Sequence, residues 1–185
     1  MKGWGLTLGL LRPERRLGVR TLWMYILCMY SVCALCMNIG NVIIGEKMRQ
    51  MQKTFVFETK PYDLLNISAE VQHFVKSTGV DVGLCHVFVR HTSASLIIQE
   101  NADPDVCHDL KEFMSRLAPE NGPYLHVCEG PDDMPSHIRT AITHTSEAIP
   151  VSDGKLLLGT WQGLYLWEHR ATPHSRQVVV HVLGE

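Results

Sequence analysis

Basic surplus is missing where a nucleic-acid binder would need it. Residues 51–185 of the 185-residue chain carry ten Lys and Arg against seventeen Asp and Glu. A phosphate backbone calls for the opposite balance, so broad nucleic-acid binding is excluded. Paired cysteine spacing is missing from the same stretch. Cys85, Cys107 and Cys128 fall in neither a metal nor a redox pattern. They read as buried or free thiols of a reducing, cytoplasmic compartment. No phosphate-cradling glycine loop is present, because "GTWQG" lacks the Lys-Ser/Thr ending and does not open a helix. A serine nucleophile elbow, internal repeats, low-complexity tracts and a heptad surface are absent too.

The first fifty residues lack histidine altogether, and they hold seven Lys and Arg against two acids. Charge is absent from residues 21–45, "TLWMYILCMYSVCALCMNIGNVIIG". That run is long enough for a membrane span of about 20 residues, although Ser31, Asn38 and Asn41 weaken it. It is too long for an ordinary signal peptide, and no clean cleavage site follows. Two readings stay open. In one, translation begins at Met48 or Met51 and the protein is cytoplasmic. In the other, residues 21–45 are a signal anchor, the arginines Arg12, Arg15, Arg16 and Arg20 stay inside, and the domain is exported as a single-pass membrane protein. Cys33 and Cys36 have redox-like spacing but lie within the apolar run, where packing is their expected role.

Residues 51–185 have the size of one domain. Alternation over 54–59 predicts a strand, and Pro61 follows it. Ser68 is placed as a helix N-cap, with Val71, Phe74, Val75 and Thr78 at helical spacing before Gly79. In "VGLCHVFVRH" period two sets Leu84, His86 and Phe88 on one face and Cys85, Val87 and Val89 on the other. "ASLIIQEN" is a further strand. Asp103 then caps a helix with Pro104 first, burying Val106, Leu110, Phe113 and Leu117. A second helix is expected to start at Pro135, with Ile138, Ala141 and Ile142 inward. Strands recur at "EAIPV", "KLLLG" after a "DG" turn, "WQGLYLWEH" and "RQVVVHVLG". The expected fold is α+β: a mixed, mostly antiparallel sheet system with two or three packed helices.

Histidine dominates the residues that carry chemistry. His91 ends a strand before small residues. His126 leads into an acidic loop holding Glu129, Asp132 and Asp133. His137 is expected in the first turn of the Pro135 helix, beside free backbone N–H groups. Three imidazoles suit a zinc-like ion, whereas the Glu129–Asp132–Asp133 loop suits magnesium or is a plain solvated turn. Asn101 and Asp105 have no evident structural task. Gln162 stands between Trp161 and Gly163, where backbone can approach closely, and shares a strand face with Glu168. Arg139, Arg170 and Arg176 are able to hold phosphate oxygens, with surface ion pairs as the default.

The motifs "HTSASLIIQENADPDV", "EGPDDMPSHI", "IPVSDGKLLLGTWQGLYLWEHR" and "SRQVVVHVLGE" resemble, in order, those of the YjbQ-type family, often labelled secondary thiamine-phosphate synthase. The resemblance covers 51–185 and none of the first fifty residues. It implies a small α+β domain assembling as a homotrimer, with a polar pocket near subunit boundaries. His91, Asn101, Asp103, Glu129, His137, Gln162 and Glu168 match family positions, as does His126. The chain departs from the family pattern at 143–146, at Pro173 and His174, and at Gln177.

That resemblance implies synthesis of thiamine phosphate with release of pyrophosphate, at a site where His91, His126 and His137 hold a divalent metal. Asp132, Asp133, Arg139 and Arg176 would bind the phosphorylated small molecule, and Glu129, Glu168, Asn101 and Gln162 would line the reaction. Two alternatives remain: a metal-dependent hydrolase of a phosphorylated small molecule, with Glu129 or Glu168 carrying the proton, or a non-catalytic metal- or anion-binding trimer.

Overall fold

The structure, a computed structural model, describes residues 48–185. The apolar run 21–45 and its Cys33–Cys36 pair therefore lie outside the described residues. Among the described residues no helix is long and apolar enough to cross a membrane.

Among the described residues, eight strands and three helices follow one another. They are β1 (Arg49–Glu58), β2 (Leu64–Asn66), α1 (Ser68–Thr78), β3 (Gly83–Val89), β4 (Ala94–Glu100), α2 (Pro104–Leu117), α3 (Asp133–Ile142), β5 (Ser146–Ser152), β6 (Lys155–Leu156), β7 (Gln162–Glu168) and β8 (Ser175–Gly184). Two sheets form, with orders β1-β8-β3-β5-β6 and β2-β7-β4. Every named strand pair is antiparallel. The α+β expectation is met.

One core joins both sheets to α1. Val71 and Val75 of α1 meet Cys85 and Val87 of β3, Leu96 of β4, Leu164 and Leu166 of β7, and Val178, Val180 and Val182 of β8. Alternation decides the faces as the sequence predicts: Cys85, Val87 and Val89 are buried, while Leu84 and Phe88 are exposed. The "DG" turn joins β5 to β6 with Asp153 at φ 52° and Gly154 at φ 65°. Positive φ at both central residues is the hairpin geometry whose twist matches that of the strands.

Both later helices depart from expectation. Asp103 does cap α2, its side chain accepting from the Asp105 N–H at 2.9 Å, and Pro104 opens the helix. Yet no residue of α2 is buried, and Phe113 and Leu117 are each 53% exposed. The apolar stripe exists but faces outward, because periodicity reports that a face is apolar and not what covers it.

Helix α3 begins at Asp133, two residues before Pro135. It buries Asp133, Pro135, Ser136, Arg139 and Thr140 and leaves Ile142 exposed. Its inward face is polar because the end of β7 meets it with carbonyls. Ser136 Oγ donates to His169 O at 2.8 Å, and Arg139 Nη1 donates to the same oxygen at 3.3 Å. Helix α1 has Ile67 and not Ser68 at its N-cap position; Ser68 is its first residue, and the Ser68 N–H donates to Asn66 Oδ1 at 3.0 Å.

Candidate metal centre

Residues Asp133 and His137 are four apart on α3, so both project from one side of the helix. His126 reaches the same place from the loop before α3. Together they offer three ligand atoms all within 4.8 Å of one another. His126 Nε2 lies 2.6 Å from Asp133 Oδ2, and His137 Nε2 lies 3.4 Å from that oxygen. The two rings are tilted by 49° with centroids 5.5 Å apart.

The far side of His137 fixes its orientation. Its Nδ1 donates to the Thr92 carbonyl at 2.9 Å. With Nδ1 held by the carbonyl, Nε2 is the nitrogen turned toward the carboxylate oxygen of Asp133. An Nδ1–H bound to a backbone carbonyl is also the usual outer support of a metal-binding histidine. Two ligands about 2.0–2.1 Å from a shared tetrahedral ion lie about 3.4 Å apart, so the His137–Asp133 spacing already fits. The His126–Asp133 contact is a direct hydrogen bond and must open by under 1 Å to admit an ion.

Arg170 braces the carboxylates from behind. Its Nε donates to Asp132 Oδ2 at 2.8 Å, its Nη1 to Asp133 Oδ1 at 2.6 Å, and its Nη2 to the Glu129 carbonyl at 2.8 Å. Asp133 thus gives one oxygen to Arg170 and keeps the other for the imidazoles. Burial alone would raise the Asp132 carboxyl, but the Ala171 N–H and Arg170 outweigh it and hold it below the usual carboxylate range.

The other expected site residues are placed elsewhere. His91 does not join the three-ligand group; its Nε2 accepts from the Gln177 N–H at 2.8 Å. Its ring lines a shallow pocket shared with His137 and Thr140, so it borders the centre without facing its ligand atoms. Burial, then the charge of Arg176, lowers its basicity. Glu168 and Arg176 bind each other inside the protein, at 0% and 4% exposure, with Thr59 Oγ1 donating to Glu168 Oε2 at 2.7 Å.

Arg139 is buried, its Nη2 donating to Ala118 O at 2.9 Å. Gln162 Oε1 accepts from the Gly159 N–H at 2.8 Å, and Asn101 Nδ2 donates to Gln162 O at 3.0 Å. These two residues tie the ends of β4 and β7 together beside Gly163, where an added Cβ would lie 3.0 Å from Asn66 Nδ2. Glu129 remains exposed, 3.8 Å from Arg170. His137 sits in the fifth position of α3, not at a free N-terminus.

The structure groups His126 and His137 with Asp133, which the sequence placed in a magnesium-type or phosphate-binding loop, and it sets Ser95 Oγ 2.8 Å from His169 Nε2. The Asp133-to-His137 spacing on a helix was the available signal. His169 carried none, since its neighbours in sequence do not reveal that Ser95 meets it.

An antiparallel α+β domain with a two-histidine, one-carboxylate cluster on its surface is the class that fold and site define. The chain belongs to the YjbQ family: the family described as "UPF0047 protein YjbQ-like" matches residues 53–185. A UPF0047 protein of Synechocystis sp. is 59% identical over 138 residues, covering 74% of this chain and 94% of the relative. YjbQ of Escherichia coli O157:H7 is 42% identical, covering 72% of this chain and 98% of the relative. A YjbQ/UPF0047 crystal structure from Clostridium acetobutylicum superposes with a TM-score of 0.66 at 36% identity, covering 70% of this chain and 98% of that one. A YbjQ-like protein of unknown function from Sulfolobus solfataricus shares the fold at TM-score 0.70 and 24% identity, covering 75% and 100%.

Proposed function

We propose that the chain is a divalent-metal-dependent enzyme acting hydrolytically on a small phosphorylated molecule at His126, Asp133 and His137. The observation that carries this reading is the His137 ring, locked by the Thr92 carbonyl with its other nitrogen directed at Asp133 Oδ2. Two imidazoles and one carboxylate suit zinc or a similar borderline ion better than magnesium, which prefers oxygen ligands. When bound, such an ion supplies positive charge to an oxygen of the substrate. Arg170 Nη1 holds Asp133 in orientation through its Oδ1. Glu129, exposed in the same loop, is the proton carrier in this reading.

Thiamine-phosphate synthesis, implied by the family resemblance, asks for cations around two phosphate groups. Arg176 faces Glu168 and Arg139 faces backbone carbonyls, which favours the hydrolytic reading. We take the protein to be cytoplasmic, supported by three free thiols among the described residues, and to form a homotrimer, supported by exposed Leu84, Phe88 and Leu183 on the outer sheet face. Light scattering of purified protein tests the assembly.

Zinc titration followed by calorimetry tests the centre. His126→Ala, His137→Ala and Asp133→Asn should each lose binding, and His91→Ala should keep it. Equal binding by all four variants and wild type rejects the site. Phosphate release from a panel of phosphomonoesters, and pyrophosphate release from the two thiamine precursors, then separates hydrolase from synthase. A Glu129→Gln variant that binds zinc without turnover supports catalysis.

A further inference from the structure

We propose that the cavity between α2 and the end of β7 is a second binding site, taking a small monocarboxylate with a flat apolar body. The cavity has a volume of about 380 Å³ and is separate in its lining from the metal cluster. Two of its wall residues are buried cationic or basic groups with an unused atom. Arg139 is 5% exposed and His169 is 1% exposed. Arg139 Nε and His169 Nδ1 have no hydrogen-bond partner among the described residues.

The rest of each side chain is held firmly. Arg139 uses its two terminal nitrogens on the His169 and Ala118 carbonyls, and its guanidinium lies 5.6 Å from the centre of the Tyr62 ring. No carboxylate pairs with it among the described residues. A buried cation without a counter-ion is costly, and so is each unpaired buried polar atom. One oxyanion in the cavity answers both. His169 Nε2 meets Ser95 Oγ at 2.8 Å. With the serine hydroxyl donating to it, the proton sits on Nδ1, and Arg139 Nε–H and His169 Nδ1–H are the two donors assigned to the oxyanion. Burial, then the charge of Arg139, pushes the His169 pKa down to about 3, so the ring is a neutral donor at physiological pH.

The remaining wall selects the body of the ligand. Trp167, Met114 and the Tyr62 ring present flat or apolar surface. Glu112 and Glu120 join Lys111 and His108 in the lining, and Glu120 accepts from the Tyr62 hydroxyl. Glu168 also borders the cavity, with its charge met by Arg176. Glu112 and Glu120 beside Arg139 and Lys111 disfavour a phosphate dianion and admit one negative charge.

Benzoate is the probe, titrated calorimetrically into the full chain in the presence of a chelator, so that the outcome does not depend on the metal centre. Saturable one-site binding is expected, together with a raised melting temperature. Inorganic phosphate should give neither. Met114→Trp fills the cavity while leaving Arg139 and His169 in place and should weaken benzoate at least about tenfold, as expected when a pocket loses its free volume. Arg139→Gln should abolish binding; if that variant fails to fold, the Met114→Trp result decides. Absence of saturable benzoate binding, benzoate binding unchanged in Met114→Trp, or phosphate binding more tightly than benzoate would each overturn the proposal.

Discussion

Glu168 on β7 and Arg176 on β8 bind each other across the two sheets, Arg176 Nε donating to Glu168 Oε2 at 2.7 Å where almost no solvent reaches. Removing one partner leaves the other charge buried and unpaired. Glu168→Gln is expected to cost about 3–5 kcal/mol in urea unfolding. Glu168→Leu combined with Arg176→Met should recover much of that loss. A single variant as stable as wild type would refute a structural pair and return Glu168 to the list of proton carriers.

Acid should destabilise the domain in a defined window. Burial would raise the Glu168 carboxyl, but hydrogen bonds from Arg176, the Arg170 N–H and Thr59 outweigh it and hold it below its ordinary 4.5. A carboxylate depressed in the folded state contributes stability that is complete above its unfolded value and is lost as pH falls through the folded one. Asp132 behaves likewise below 3.8. Unfolding free energy should therefore drop steeply below about pH 4.5, and chemical denaturation at a series of pH values checks it.

His169 extends that window upward. Its folded pKa of about 3 lies below the ordinary 6.5. The unfolded chain binds the proton first, so this contribution is full above pH 6.5 and is lost progressively as pH falls toward about 3. His169→Gln should flatten the stability profile between those values. An unchanged slope would mean that the ring is protonated in the native protein.

Zinc should stabilise the native state by mass action, by about 2.7 kcal/mol at a free concentration a hundred times the dissociation constant. The gain should shrink on acidification, because ligand nitrogens must be free of protons to bind. A melting temperature indifferent to zinc at neutral pH would count against the centre.

Strands and their faces were legible because burial alternates along them, as in β3, and the buried α1 stripe followed from helical spacing. What was hidden depended on partners distant in sequence. Phe113 and Leu117 form an apolar stripe that nothing among the described residues covers. Ser136, Arg139 and Thr140 form an inward face whose polarity makes sense only once the His169 carbonyl is known to meet it. The site divides the same way. The sequence grouped His126 and His137 with His91, whereas the structure sets those two beside Asp133. His91 was drawn in by its place at a strand end, yet the Gln177 N–H occupies its Nε2. Asn101 looked unemployed in sequence because its side chain serves the Gln162 carbonyl on the neighbouring strand, whereas Gln162 Oε1 accepts from the Gly159 N–H three residues back.

Strands β1 and β8 run side by side over their full length, Arg49 opposite Gly184 and Glu58 opposite Ser175. The two ends of the described domain therefore emerge as neighbours. A short linker would join them into a ring, and the tight reversal at Asp153 and Gly154 offers a place to cut it open again. A circularly permuted domain begun there would keep every strand pair while changing which strand the ribosome makes first.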